Sequence, residues 1–204
     1  MALRCPIGFD TKQLRAEVSE MYSRVASDPN SDFHFHRGPA YAASHLGYDP
    51  ARLAALPERA TRSFAGIANP LLMGAPTPGG HVLDVGCGAG MDLLLAAQDA
   101  GPTGLAIGVD MTQAMLDQVR CAADELEGIN VSLREGDAED LPVDDASVDL
   151  VISNGVINLT TDKVKAFSEI ARVLKPAGRL QLGDIVVANE LDEDIRNDID
   201  LWAA

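Results

Sequence analysis

From residue 81 onward, short apolar runs alternate with longer stretches in which apolar residues return every three or four positions. The runs at 81–86, 105–110, 130–134, 148–153 and 179–187 read as strands. Residues 90–99, 112–126 and 162–174 carry helical spacing, and a last helix is expected near 191–203 with Ile195, Ile199 and Trp202 on one face. Thr112 and Asp162 stand where N-caps are expected, and Gly128 and Gly178 just past helix ends. Alternation of this kind predicts an α/β, Rossmann-like fold: an open, mainly parallel sheet joined by crossover helices.

Upstream the pattern differs. Residues 10–27 place Leu14, Val18, Met21, Tyr22 and Val25 on one helical face behind Asp10 and Thr11, either of which suits an N-cap. Phe33 and Phe35 then alternate with His34 and His36 until Gly38-Pro39 breaks the pattern, and shorter helical pieces run to about Gly66. Pro70, Pro76, Pro78, Gly79 and Gly80 read as a linker. The expected division is an N-terminal helical and lid segment, 1–79, and a sheet domain, 80–204.

The first strand feeds a glycine turn, HVLDVGCGAG, with Gly86, Gly88 and Gly90 ahead of a helix. Such a turn lets backbone approach a ligand closely at a helix start. Asp110 ends the second strand, 20 residues after Gly90. An acidic residue there suits ribose hydroxyls in dinucleotide folds too, so it does not select the cofactor. Two details do: the third glycine of a dinucleotide fingerprint would fall at Met91, and the Asp84 carboxylate is badly placed beside a pyrophosphate. S-adenosylmethionine has no phosphate, and its ammonium and sulfonium are positive, so a nearby carboxylate attracts it.

Further along, EGDAEDLP follows the third strand and brings Asp137, Ala138 and Glu139 to the same end of the sheet. SNGVINL then places Asn154 and Gly155 at the carboxyl end of the fourth strand, where open α/β sheets bind ligands. Taken with GVDMT, RVLKPAGRL and DIVV, these stretches resemble the class I S-adenosylmethionine-dependent methyltransferases of the arsenite methyltransferase-like group. The resemblance implies that Asp84, Gly86, Gly88 and Gly90, with Cys87 in the turn between them, hold the methionyl part. It implies Asp110 for the ribose, Met111 against the adenine, Asp137 and Ala138 for the base, and Asn154 beside the methionyl end. It also implies S-adenosylhomocysteine as product.

The chain departs from that family in two places. Arsenite methyltransferases hold arsenic through thiolates, soft ligands for a soft centre. Here the loop after the fourth strand reads Asn154-Gly155-Val156, and the three cysteines, Cys5, Cys87 and Cys121, are scattered. A small metabolite other than arsenic is the expected substrate. The family also closes its sheet with a hairpin after the fifth strand, whereas this sequence ends at Leu201-Trp202-Ala203-Ala204. Either the sequence is a piece of a longer one, or a second polypeptide or another copy covers the fifth-strand edge.

Candidate chemistry outside the cofactor loop centres on His34, His36 and Arg37, as substrate contacts on a lid or as a polar face. Two histidines without a nearby third ligand make a poor metal site, and no metal is expected. Three functions follow. The first is methyl transfer to a small metabolite in a heteromer. The second is a split methyltransferase-like enzyme catalysing a non-methylating displacement, such as aziridine-type ring closure in natural-product biosynthesis, with those three residues holding the leaving group. The third is a non-catalytic stabilising subunit. Net charge is -15, and residues 80–204 carry 24 of the 31 Asp and Glu against 8 of the 16 Lys and Arg. That charge should repel nucleic acid and anionic membranes. No apolar run suits a membrane span or a secretory signal, so a cytoplasmic location is expected.

Overall fold

The computed structural model describes residues 11–28, 33 and 35–186. Helix α1 (Thr11–Ser27) precedes α2 (Gly38–Leu46), α3 (Pro50–Ala54) and α4 (Glu58–Thr61). Then come β1 (His81–Val85), α5 (Met91–Ala100), β2 (Leu105–Asp110), α6 (Gln113–Ala123), β3 (Val131–Glu135), β4 (Val148–Asn154), α7 (Lys163–Val173) and β5 (Leu174–Gly183). The strands form one wholly parallel sheet in the order β3-β2-β1-β4-β5. Strand order reverses between β1 and β4, so the loops leaving their carboxyl ends diverge and open a crevice.

Alternation along β1 decides what faces what. Leu83 and Val85 pack with Ala166, Ile170 and Val173, the i, i+4, i+7 stripe of α7. Val82 packs with Ala96 and Ala100 of α5. Asp84, two residues beyond Val82, therefore lies on the α5 side of the sheet. Helix α5 is apolar nearly all round, because the sheet covers one face and the N-terminal segment the other. Tyr48, Leu53, Leu56, Ala60 and Phe64 pack with Met91, Leu94 and Leu95 in one cluster. Each leucine so buried contributes about 1.5–3 kcal/mol, which ties the upstream helices to the sheet.

Most expected boundaries hold to within a few residues, and the differences have physical causes. The fifth strand starts five residues early, at Leu174. Its register jumps from Val148↔Leu174 to Leu150↔Arg179, so 175–178 bulge out of the ladder. Gly178 therefore caps no helix, and Ala177 takes the left-handed turn conformation at φ +67°. Asp162 caps α7 through the Lys165 amide at 3.1 Å. Thr112 occupies the N-cap of α6 without a side-chain cap bond, and its own amide is bound by Asp110 instead. Asp10, the end of the expected fifth strand and the helix near 191–203 lie outside the described residues. Among those described, no helix is long and apolar enough to cross a membrane.

Candidate functional site

A cleft opens at the carboxyl ends of β1, β2 and β4, and its walls include Asp84, Gly86, Cys87, Gly88, Gly90, Asp110, Met111, Asp137, Ala138 and Asn154. All ten residues assigned to the cofactor from the sequence are thus brought to one place. Their side chains are not equally available within it.

Asp84 is 2% exposed, and its Oδ2 is a buried acceptor with no hydrogen-bond partner among the described residues. Burial and the negative charges of Asp92 and Asp110 push its carboxyl well above the usual range, against a hydrogen bond from the Leu93 amide. A carboxylate so placed is suited to a cation supplied by a ligand. Asp110 accepts from the Gly88 and Thr112 amides, both at 2.8 Å, and so fixes the glycine turn to the start of α6. Gly88 sits at φ +52° with open space on its Cβ side, leaving the backbone bare to the cleft. An added Cβ at Gly86 would come within 2.4 Å of Val156. The orphan carboxylate oxygen and the open turn together fit the cationic, phosphate-free methionyl end of S-adenosylmethionine.

Helix α1 roofs the cleft. Leu14 and Val18 pack over Met111 and Leu159, and Tyr22 lines the wall near Asp110, with its hydroxyl pushed up to about 12 by burial and that charge. Arg15 reaches Asp137 Oδ2 and Glu139 Oε2, each at 2.9 Å. Asp137 also accepts from the Glu139 amide, so its carboxylate serves the loop and the lid at once. Glu139 Oε1 takes the Thr161 amide, the Thr161 hydroxyl and the Asp162 amide. Desolvation raises the Glu139 pKa, but those bonds and Arg15 outweigh it and hold the group below its ordinary value.

Asn154 proves to be a brace. Its Oδ1 accepts from the Ile67 and Ala68 amides at 2.9 and 3.0 Å. Its Nδ2 donates to the Ala68 carbonyl, Asp92 Oδ2 and the Tyr48 hydroxyl at 2.7, 2.9 and 3.3 Å. The Tyr48 hydroxyl donates to Asp92 Oδ1 at 2.6 Å. Residues 66–68 are thereby strapped across β4, and Asp92 is fixed at the start of α5, where its charge acts on Asp84. Sequence reasoning missed Asp92, Tyr48, Arg15 and the role of Glu139. A usable signal did exist for Asp92: a carboxylate in the first turn of an otherwise apolar helix, MDLLLAAQDA.

The expected lid residues fall elsewhere. Phe33 and Phe35 do not sit in a strand; they pack against Ala89 and Met115 behind the glycine turn. Arg37 lays its guanidinium 4.2 Å from the Phe33 ring centre. His36 is exposed and stacks on Tyr41, with ring centres 5.0 Å apart. Neither His36 nor Arg37 lines the cleft, and His34 lies outside the described residues. The leaving-group role given to these three has no support from the two that are described. Among the described residues, no group of three or more His, Cys, Asp or Glu is placed to hold a metal. Among the described residues Cys87 is the one thiol on the cleft wall, and burial with Asp110 and Asp84 nearby pushes it up and keeps it protonated.

Comparison with known proteins agrees with this geometry. The family described as "Methyltransferase domain" matches residues 76–204. An arsenite methyltransferase of Halobacterium salinarum is 41% identical over 94% of this chain and 52% of its own length. A demethylmenaquinone methyltransferase of Symbiobacterium thermophilum is 40% identical over 50% of this chain and 41% of its own. The crystal structure of an arsenic(III) S-adenosylmethionine methyltransferase from Chlamydomonas reinhardtii superposes with a TM-score of 0.68 at 37% identity, covering 76% of this chain and 56% of that one. The chain thus spans about half the length of these relatives.

Proposed function

This chain belongs to the class I S-adenosylmethionine-dependent methyltransferases of the arsenite methyltransferase-like group, and from that premise we propose that it methylates a small molecule at the β1–β4 cleft. The observation that carries the proposal is the buried Asp84 carboxylate, with one oxygen unpartnered among the described residues, beneath a glycine turn that leaves backbone open to the cleft. S-adenosylmethionine supplies a methyl group on a sulfonium, which leaves in an in-line displacement as S-adenosylhomocysteine.

For such a step a protein must chiefly position the reactants and keep water out. In our reading Asp84 takes the ammonium, Asp110 the ribose, and Met111, Asp137 and Ala138 the base. Gly86, Gly88 and Gly90, with Cys87, shape the turn. Asn154 acts through the strap at 66–68. Leu14 and Val18 of α1 shed water from above, and Arg15 holds that helix down.

The acceptor is proposed to be a small molecule held without thiolates. Cys87 belongs to the turn, and the loop after β4 offers Asn154, Gly155 and Val156. We propose further that a second polypeptide or second copy covers β5, a sheet edge among the described strands, beyond which Ile185 and Val186 are 52% and 69% exposed. A stable monomer of the natural gene product in sedimentation would count against that.

The activity test is transfer of labelled methyl to a panel of small acceptors, with and without arsenite, while S-adenosylhomocysteine is followed. Methylation of an organic acceptor that fails in Asp84→Asn is the expected result. Methylation of arsenite alone would overturn the acceptor assignment, and no transfer to any acceptor by the natural gene product would overturn the reaction.

A further inference from the structure

Five carboxylates line the cleft, Asp84, Asp92, Asp110, Asp137 and Glu139, against one basic side chain among the described residues, Arg15. Arg15 is committed to Asp137 and Glu139. Asp110 is bound by two backbone amides. That leaves Asp84 and Asp92, 2% and 6% exposed, on facing elements of one buried wall with no cation among the described groups that line it.

The described groups around the pair supply no charge to offset it. From β1 comes Asp84 itself; from α5, Asp92; from β2, Asp110; from the turn, Cys87; from the loop after α2, Tyr48; and from α1, Tyr22. Burial and neighbouring carboxylates raise the tyrosines and the thiol, so these stay neutral near pH 7. Two carboxylates in one dry site cannot both ionise cheaply, and one proton is retained between them.

We propose that Asp84 and Asp92 work as one paired acid, which holds a proton when no ligand is bound and gives it up to solvent when a ligand ammonium takes its place. Tyr48 and Asn154 are positioning residues that keep Asp92 facing its partner through the bonds at 2.6 and 2.9 Å. The pair thereby selects ligands that carry an ammonium, since an uncharged ligand leaves the proton where it is. This rests on the reading of the cleft as the S-adenosylmethionine site. Consistent with it, burial lifts Asp92 to about 6 and Asp84 well above the ordinary carboxylate range.

The test is calorimetric titration of S-adenosylhomocysteine in buffers of different ionisation enthalpy, which counts the protons exchanged on binding. Release of about one proton is expected below pH 7, falling as pH rises through the titration of the pair. Asp92→Asn is expected to cut severalfold the protons released per S-adenosylhomocysteine bound, and Tyr48→Phe to move the release profile to higher pH. 5′-Methylthioadenosine, which lacks the ammonium, is expected either to bind without release or not to bind measurably. S-adenosylhomocysteine binding without proton release between pH 6 and 8 would overturn the paired acid and leave the cofactor reading intact. Equal release by 5′-methylthioadenosine would do the same. If neither S-adenosylmethionine nor S-adenosylhomocysteine binds, both readings fall.

Discussion

Alanine at Gly66 and alanine at Gly88 are predicted to damage different properties of this protein. At Gly66 an added Cβ would lie 2.3 Å from Asn154 Nδ2 and 2.5 Å from Phe64 Cζ. Asn154 would have to move, and with it the bonds to Ile67, Ala68, Tyr48 and Asp92. Overpacking alone costs about 1–3 kcal/mol, and each buried polar group left without a partner costs roughly 1–3 kcal/mol. A loss of about 3 kcal/mol or more is expected, a large share of a typical ~5–15 kcal/mol. At Gly88 nothing among the described residues stands within 4 Å of the added methyl, and the cost is the left-handed φ of +52°. That costs about 1–2 kcal/mol, but the methyl fills space beside the proposed methionyl end. Urea unfolding followed by circular dichroism gives the first quantity, and calorimetry with S-adenosylhomocysteine the second. Gly66→Ala should lower the unfolding midpoint sharply with m unchanged. Gly88→Ala should lose only the roughly 1–2 kcal/mol of backbone strain and bind at least about tenfold more weakly, a loss of ~1.4 kcal/mol. A Gly66→Ala protein within about 0.5 kcal/mol of wild type would refute the role given to the Asn154 brace.

Three further outcomes follow from the same contacts. Arg15→Ala should cost under about 1 kcal/mol of stability, since Arg15 is 40% exposed, yet speed S-adenosylhomocysteine release severalfold in stopped-flow displacement; an unchanged rate would show that α1 is not a lid. Asp92 has its folded pKa raised to about 6 from 3.8, so the folded protein holds the proton more tightly and Asp92 costs stability as pH rises through that window. Relative to wild type, Asp92→Asn should therefore gain up to about 3 kcal/mol between pH 4 and pH 7, as read by chemical denaturation at each pH; a difference independent of pH would contradict the buried, proton-retaining carboxyl. Cys121 is exposed and Cys87 buried with its thiol pushed up. Mass-mapped alkylation should modify Cys121 quickly and Cys87 at least about tenfold more slowly, and equal rates would contradict the closed packing of the turn.

Legibility followed sequence distance. The glycine turn, Asp84 and Asp110 could be read because strand alternation and a turn impose fixed local spacings, and those spacings place side chains directly. The Arg15–Glu139 bond spans 124 positions, the Tyr48–Asp92 bond 44 and the Tyr48–Asn154 bond 106, and no local pattern encodes such pairs. Asn154 lies on the cleft wall, but its partners make it a brace. The run at His36 and Arg37 is ambiguous for the opposite reason. An alternating aromatic and basic run looks the same whether it lines a site or stacks on itself, and here rings stack and a guanidinium covers Phe33. The early start of β5 depended on a bulge at 175–178 that carries no periodic mark.

The most direct test of the account is calorimetric titration of S-adenosylmethionine and S-adenosylhomocysteine into the wild-type protein and into Asp84→Asn. Wild type is expected to bind both in the micromolar range, with a loss of about 2 kcal/mol or more when the buried carboxylate is replaced by an amide. Wild-type affinity in Asp84→Asn would contradict the central claim that this carboxylate recognises the cationic end of the cofactor.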